Sequence, residues 1–138
     1  MGLTVIDAGI VIAALDSSDA HHEASVDALR TARASGDALV VPASAYAEAL
    51  VGPSRRGADA IATVDALLDA LPVVIEPATR EVARRAAALR ARHGRALRLP
   101  DALVLATGSV VGADHVLTTD AGWPDTGAPV RIVGAASR

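Results

Sequence analysis

The stretch LTVIDAGIVIAAL, Leu3–Leu15, joins a short apolar run directly to a helical pattern. The run LTVI at residues 3–6 is rich in β-branched residues and ends at the polar Asp7, which is typical of a buried strand. The residues that follow predict a helix over about 10–15. A strand followed at once by a helix is the repeating unit of α/β folds.

The same alternation continues along the whole chain. Further strands are predicted at 38–41, 72–75, 115–118 and 130–133, and further helices at 19–35, 43–51, 56–70, 78–93 and 101–112. Gly36, Gly94 and Gly112 supply helix stops. The continuous apolar strands indicate a sheet that is covered on both faces. We therefore predict one domain over residues 1–138, a three-layer α/β/α sandwich with a central, mostly parallel five-stranded sheet.

The composition excludes several classes of function. All 13 basic residues are arginines and there is no cysteine, which excludes disulfides, zinc–thiolate sites, P-loops and Schiff-base lysines. One tyrosine, one tryptophan and no phenylalanine cannot form an aromatic platform for stacking bases. No targeting signal or membrane-length apolar run is present. We expect a soluble, cytoplasmic protein.

Four acidic residues fall at one predicted edge of the sheet. Asp7 and Asp120 directly follow strands, and Glu48 lies in the early turns of the helix after the strand at 38–41. Asp101 opens a helix that runs antiparallel to the next strand, so its first turn lies at the same carboxyl edge. Ligands of α/β sheets bind at that edge. The acids of the patterned helices are expected to face water instead: Asp27, Asp59, Asp65 and Asp69.

Asp101 belongs to the segment LRLPDALVLATG, Leu97–Gly108, in which Pro100 is predicted to be the first helical residue. The apolar run after it indicates a buried helix. Taken singly, Asp7, Asp101 and Asp120 are equally well explained as helix caps or first-turn acids. Glu48 alone would more often face solvent. Their joint placement favours a functional site.

Carboxylates crowded into a partly dry crevice repel one another unless a cation neutralises them. Mg²⁺ prefers oxygen ligands, whereas the lack of cysteine and the scattered histidines disfavour zinc. A divalent ion there can lower the pKa of a bound water and stabilise an in-line phosphoryl displacement. The acids are therefore predicted to form a metal site.

Four segments in order carry a family resemblance: TVIDAGIVIAALDSSDAHHEA, VPASAYAEAL, LRLPDALVLATG and VLTTDAGWP. They resemble the PIN-domain nucleases, and most of all the VapC-type ribonuclease toxins of bacterial toxin–antitoxin pairs. The resemblance spans essentially the whole chain. It implies that Asp7, Glu48, Asp101 and Asp120 bind the metal and catalyse cleavage. It also implies Mg²⁺- or Mn²⁺-dependent RNA cleavage, a homodimer and a cognate antitoxin.

The chain departs from the family pattern at two places. Ala8 and Gly9 stand where the family often has a hydroxyl residue after the first Asp. Ala121 and Gly122 stand where it often has a second acid or a histidine. The fourth ligand position and any second metal are left open. Asp125 and Thr119 are nearby candidates, and the sequence favours neither.

Other polar residues have simpler explanations. In SSDAHHE, residues 17–23, Ser18 or Asp19 is predicted to cap a helix, and His115 is predicted to be structural. Arg95 and Arg98 lie beside the site and are candidate contacts for RNA phosphates, or else solvated residues or partners of the acids. Arg55 and Arg56, expected to open another helix, are weaker candidates. The net charge of −3 disfavours a broad nucleic-acid surface.

The predicted function is that of a metal-dependent endoribonuclease, the toxin of a toxin–antitoxin pair. Two alternatives remain at this point. One is another metal-dependent phosphoryl-transfer enzyme such as a small phosphatase, which would turn over phosphomonoesters. The other is an RNA- or partner-binding protein of the same fold with weak or no catalysis.

Overall fold

Parallel strands and pairs of helices alternate in the computed structural model, which describes residues 2–134. The strands are β1 (Leu3–Ile6), β2 (Ala38–Pro42), β3 (Val73–Glu76), β4 (His115–Thr118) and β5 (Val130–Ile132). The helices are α1 (Ala8–Leu15), α2 (His22–Ala34), α3 (Ala43–Arg56), α4 (Ala58–Ala70), α5 (Arg80–His93) and α6 (Leu99–Val111), with a 3-10 turn at Gly94–Ala96.

The sheet confirms the predicted α/β class. Its strand order is β3-β2-β1-β4-β5, and every neighbouring pair is parallel. The chain moves outward from β1 to β3 and then returns to place β4 on the other side of β1. The strand order therefore reverses between β1 and β4, which opens a crevice at their carboxyl ends.

The core surrounds the central strands and includes residues from all six helices. Val5 and Ile6 of β1 and Val116 and Leu117 of β4 are almost fully buried. Helix α6 is buried over most of its length, as its apolar run predicted. It approaches the sheet closely at Gly108, where an added Cβ would lie 3.0 Å from Cγ2 of Val116.

The helix stops also lie where the glycines predicted them. Gly112 ends α6 in the left-handed conformation, with φ 69° and ψ 43°, and its N–H bonds back to the carbonyl of Gly108. A residue with a side chain would be strained in this conformation, so glycine suits the position. The adjoining strand β4 can then begin three residues later.

Helices α2 and α3 differ most from their predicted boundaries. Helix α3 continues through Pro53 to Arg56 instead of ending at residue 51, and Pro53 is buried there, so its packing offsets one missing hydrogen bond. Arg55 and Arg56 therefore close α3 and do not open a helix. Helix α2 begins at His22 and its N-cap is His21, not Ser18 or Asp19. The carboxylates of Asp16 and Asp19 instead accept the N–H groups of Ser18 and His21 in turns before the helix.

The outer strands also differ from expectation. Val74 of β3 is 60% exposed and Ile132 of β5 is 51% exposed, so the sheet is fully covered only at its centre. A short apolar run reports strand propensity but not whether the strand lies at the centre or at an edge. The prediction of complete coverage was wrong for these two strands.

Candidate acidic active site

The crevice at the carboxyl ends of β1 and β4 is where the acidic residues gather. Asp7 follows β1 directly, and its backbone N–H bonds to the carbonyl of Leu117 at 3.0 Å. Asp120 lies two residues beyond the end of β4. The parallel pairing of β1 with β4 thus brings residues from opposite ends of the sequence to one edge.

Asp7 is held rigidly in this crevice and is only 8% exposed. Its Oδ1 accepts the N–H of Ala8 at 2.8 Å, so it caps α1, and its Oδ2 accepts the hydroxyl of Thr118 at 2.8 Å. Burial raises the pKa of Asp7. The two hydrogen bonds oppose this effect, whereas the carboxylates of Glu48 and Asp120 add to it. The side chain is therefore both a helix cap and one member of an acidic cluster.

Thr118 links two of the acids and was not foreseen as a site residue. It is fully buried, and its hydroxyl accepts the backbone N–H of Asp120 at 3.1 Å while donating to Asp7. One hydroxyl thus orients a carboxylate and the loop that carries another. The sequence signal was a threonine at the last position of a buried strand just before an acid.

Asp101 lies in the first turn of α6, where its position was predicted. Its side chain is 14% exposed. Burial is the main cause that raises its pKa, and the carboxylates of Asp7 and Asp120 raise it further. Arg98 and the indole of Trp123 counteract the rise. The Arg98 Nε lies 3.9 Å from Oδ2 of Asp101, while its own side chain is 76% exposed.

Trp123 is a second residue whose position the sequence left undecided. Its indole Nε1 is buried and makes no hydrogen bond of normal geometry with the residues at 2–134. The indole lies near enough to Asp101 to favour its charged form. Trp123 also packs against the core.

Glu48 and Asp120 complete the edge but are exposed. Glu48, on α3, faces the groove between α1, α3 and α4, which has a volume of about 590 Å³. Asp120 accepts the N–H of Gly122 through Oδ1 at 2.8 Å, which shapes the loop after β4. Asp7 and Asp101 are therefore the buried members of the acidic cluster. Glu48 and Asp120 are its solvent-exposed members.

The other residues considered as site candidates differ in their exposure and contacts. Asp125 is exposed and its carboxylate accepts the N–H of Gly127, within a turn of its own. Thr119 is partly buried beside Gly9. Arg95 is exposed in the 3-10 turn that precedes α6. The histidines of SSDAHHE make local contacts, His22 with the carbonyl of Ala13 and His21 with Asp19.

The donor set fits a hard divalent cation. It consists of carboxylate oxygens, and two of these groups have raised pKa values because acidic charge is concentrated in a poorly solvated crevice. Within the described residues no three Asp, Glu or His side chains lie together as a ready-made metal site. Mg²⁺ commonly binds through one or two carboxylates and completes its shell with water and substrate phosphate. Such an ion needs no larger protein cage.

Comparison with known proteins agrees with this architecture. The model of the PIN domain family matches residues 4–129. No curated protein sequence matches the chain. No helix within residues 2–134 is long and apolar enough to cross a bilayer.

Three solved structures show similar folds. The VapC20 toxin of Mycobacterium tuberculosis, described as cleaving the sarcin-ricin loop, has 21% identity and a TM-score of 0.65, over 82% of this chain and 86% of that one. VapBC2 of Rickettsia felis, bound to a promoter DNA fragment, has 13% identity and a TM-score of 0.68, over 86% and 87%. A toxin–antitoxin complex of Klebsiella pneumoniae has 20% identity and a TM-score of 0.62, over 88% and 96%.

Proposed function

Because this chain belongs to the PIN domain family, we propose that it is a Mg²⁺- or Mn²⁺-dependent endoribonuclease and the toxin of a toxin–antitoxin pair. The observation that carries the proposal is the buried Asp7, whose pKa is raised by burial and by two further acids at the switch point of the sheet. Asp7, Asp101, Glu48 and Asp120 would hold the ion.

The ion would supply positive charge that makes water more acidic and stabilises charge developing on the phosphate. The protein's contribution is to hold its carboxylates in fixed positions. Asp7 is fixed by Ala8 and Thr118, and Asp101 by the rigid first turn of α6. Asp101 is mostly buried and has a raised pKa, which would suit it to accept the proton of the attacking water.

RNA would reach the site from the side of the two arginines. The guanidinium of Arg98 is mostly exposed and its Nε lies 3.9 Å from Asp101, so it can bind a phosphate without leaving the site. Arg95 is exposed in the preceding turn. The net charge of −3 means that binding depends on these local contacts and on the cation. Attack on the phosphorus would break its bond to the leaving ribose oxygen.

An antitoxin partner and a homodimer belong to the same proposal. Two of the similar structures are described as toxin–antitoxin complexes or pairs. The groove between α1, α3 and α4 exposes Ile12 and Leu15, both more than one-third exposed, and includes Glu48. Exposed apolar surface of this kind is commonly covered by a partner chain. A segment bound there would also cover one acid of the site.

The proposal is tested by incubating the protein with total cellular RNA and Mg²⁺ or Mn²⁺ and mapping new 5′ ends. We expect metal-dependent cuts that disappear in D7N and D101N. Each change removes one negative charge from the site while preserving the side-chain shape, so a loss of at least about 100-fold in rate is expected. The matched control is D27N, because Asp27 is an exposed acid on α2.

Full cleavage by both D7N and D101N would contradict the assignment. An absence of metal-dependent cuts with intact protein would favour an RNA- or partner-binding protein of the same fold. Turnover of phosphomonoesters without RNA cleavage would favour a phosphatase. Circular dichroism of each variant shows whether a lost activity reflects a lost fold.

A further inference from the structure

Gly9 and Thr119 share one small space at the start of α1. A Cβ built on Gly9 would clash with Oγ1 of Thr119 and would lie 3.6 Å from its Cβ. Separations below 3.0 Å do not occur between real Cβ atoms and their neighbours, so residue 9 cannot carry a side chain while Thr119 keeps this position. The hydroxyl of Thr119 thus occupies the point at which a side chain of residue 9 would begin.

This shared space borders the acidic crevice. Gly9 is the second residue after Asp7, in the first turn of α1, and Thr119 lies between Thr118 and Asp120. The hydroxyl of Thr118, one residue earlier, already bonds to Asp7 and to the N–H of Asp120. The hydroxyl of Thr119 therefore lies against the first turn of α1, which follows Asp7, and belongs to the residue before Asp120. Thr119 is only partly buried.

We infer that Thr119 is a neutral oxygen ligand of the divalent ion that Asp7 and Asp120 would hold, with Gly9 kept small to admit it. This inference rests on the proposed function. No three acidic or histidine side chains of the described chain form a ready-made site. A hydroxyl oxygen adds a hard ligand without adding negative charge to carboxylates that already repel one another.

The inference is tested by measuring Mn²⁺ affinity, by titration calorimetry and by the electron paramagnetic resonance of free Mn²⁺, for the whole protein without RNA. T119V removes the hydroxyl at nearly constant volume and should weaken binding about 10-fold, the lower end of losses seen when groups around a metal are removed. T119S keeps the hydroxyl and should bind within about 2-fold of the wild type, a difference well under 1 kcal/mol.

A reciprocal exchange sharpens the test. T119A leaves a Cβ that would lie 3.6 Å from a new Cβ at residue 9, an ordinary van der Waals contact, so the double variant G9S/T119A is expected to fold. It returns a hydroxyl to the same space from α1 and should regain most of the Mn²⁺ affinity that T119A loses. G9S alone should be destabilised, because its Cβ meets Oγ1 of Thr119.

Wild-type Mn²⁺ affinity in T119V, with a normal thermal unfolding midpoint, would overturn the inference while leaving the proposed function standing. Equal weakening in T119V and T119S would also overturn it, because T119S keeps the hydroxyl and the loss of affinity would then not follow the hydroxyl. If the wild type fails to bind Mn²⁺, or if D7N binds it equally well, the proposed function falls and this inference falls with it.

Discussion

At the scale of single residues, Asp7 shows that structural and functional explanations of an acid can both hold. It caps α1 through Ala8, and its pKa is raised mainly by burial and, to a smaller extent, by the neighbouring carboxylates of Glu48 and Asp120. The cap fixes the carboxylate in position, and the neighbouring acids create a demand for a cation. Under the proposed function, the rigid cap would hold the side chain ready for metal binding.

Thr118 is the residue whose loss should reveal this arrangement. T118V removes the hydroxyl that bonds to Asp7 and to the N–H of Asp120, and leaves both groups without that partner in a buried place. We expect the free energy of unfolding to fall by about 1–3 kcal/mol and RNA cleavage to fall as well. Urea unfolding measures the first effect.

T118S is the matched control for T118V because it keeps the hydroxyl and removes only a methyl group. It should lose less stability than T118V and keep most of the activity. If T118V and T118S are equally stable and equally active, the hydroxyl does not position Asp7.

At the scale of elements, α6 is the part of the site that local sequence encodes most completely. Pro100 lies in its first turn, one residue after the start of the helix, and Gly112 ends it. Its apolar run is buried as predicted. The close approach at Gly108 holds the helix against β4, and Asp101 is carried on its first turn. The position of that carboxylate thus depends on packing two turns away.

Gly108→Leu should disturb this packing. The new Cβ would lie 3.0 Å from Cγ2 of Val116 and 3.9 Å from Cγ2 of Val5, so α6 must move away from the sheet. We expect a loss of about 1–3 kcal/mol in the free energy of unfolding, together with reduced cleavage because Asp101 moves with the helix.

Gly52→Leu is the matched control for that change, since a Cβ on Gly52 of α3 would meet only the flexible guanidinium of Arg56, at 3.5 Å. The thermal unfolding midpoint of G108L should lie well below that of G52L. Equal midpoints would mean that α6 is not tightly packed at Gly108.

At the scale of the whole molecule, we expect the acidic crevice to make stability depend on pH and, under the proposed function, on metal. The folded-state pKa values of Asp7 and Asp101 lie above their ordinary value of 3.8. The folded protein therefore binds more protons than the unfolded chain between the ordinary and the raised values. Stability contributed by these two groups is full below pH 3.8 and is lost as the pH rises through the raised values.

The D7N substitution should remove part of the dependence of stability on pH. In EDTA, the unfolding midpoint of the wild type should fall relative to that of D7N as the pH rises from about 4 towards 7, because Asn stays neutral and can still accept the N–H of Ala8. Addition of Mg²⁺ at neutral pH should raise the midpoint of the wild type more than that of D7N. Parallel pH curves for the two proteins, with equal responses to Mg²⁺, would contradict this account.

The sequence by itself determined the alternation of strands and helices, the class of the fold and the carboxyl edge to which Asp7, Asp101 and Asp120 belong. Local periodicity and chain direction carry this information, because they depend on residues a few positions apart. Only the tertiary structure decided that Thr118 bonds to Asp7, that the hydroxyl of Thr119 fills the space above Gly9, and that β3 and β5 are exposed. The first of these contacts joins residues 111 positions apart. It exists because β1 and β4 pair in the sheet, and no local pattern specifies that pairing.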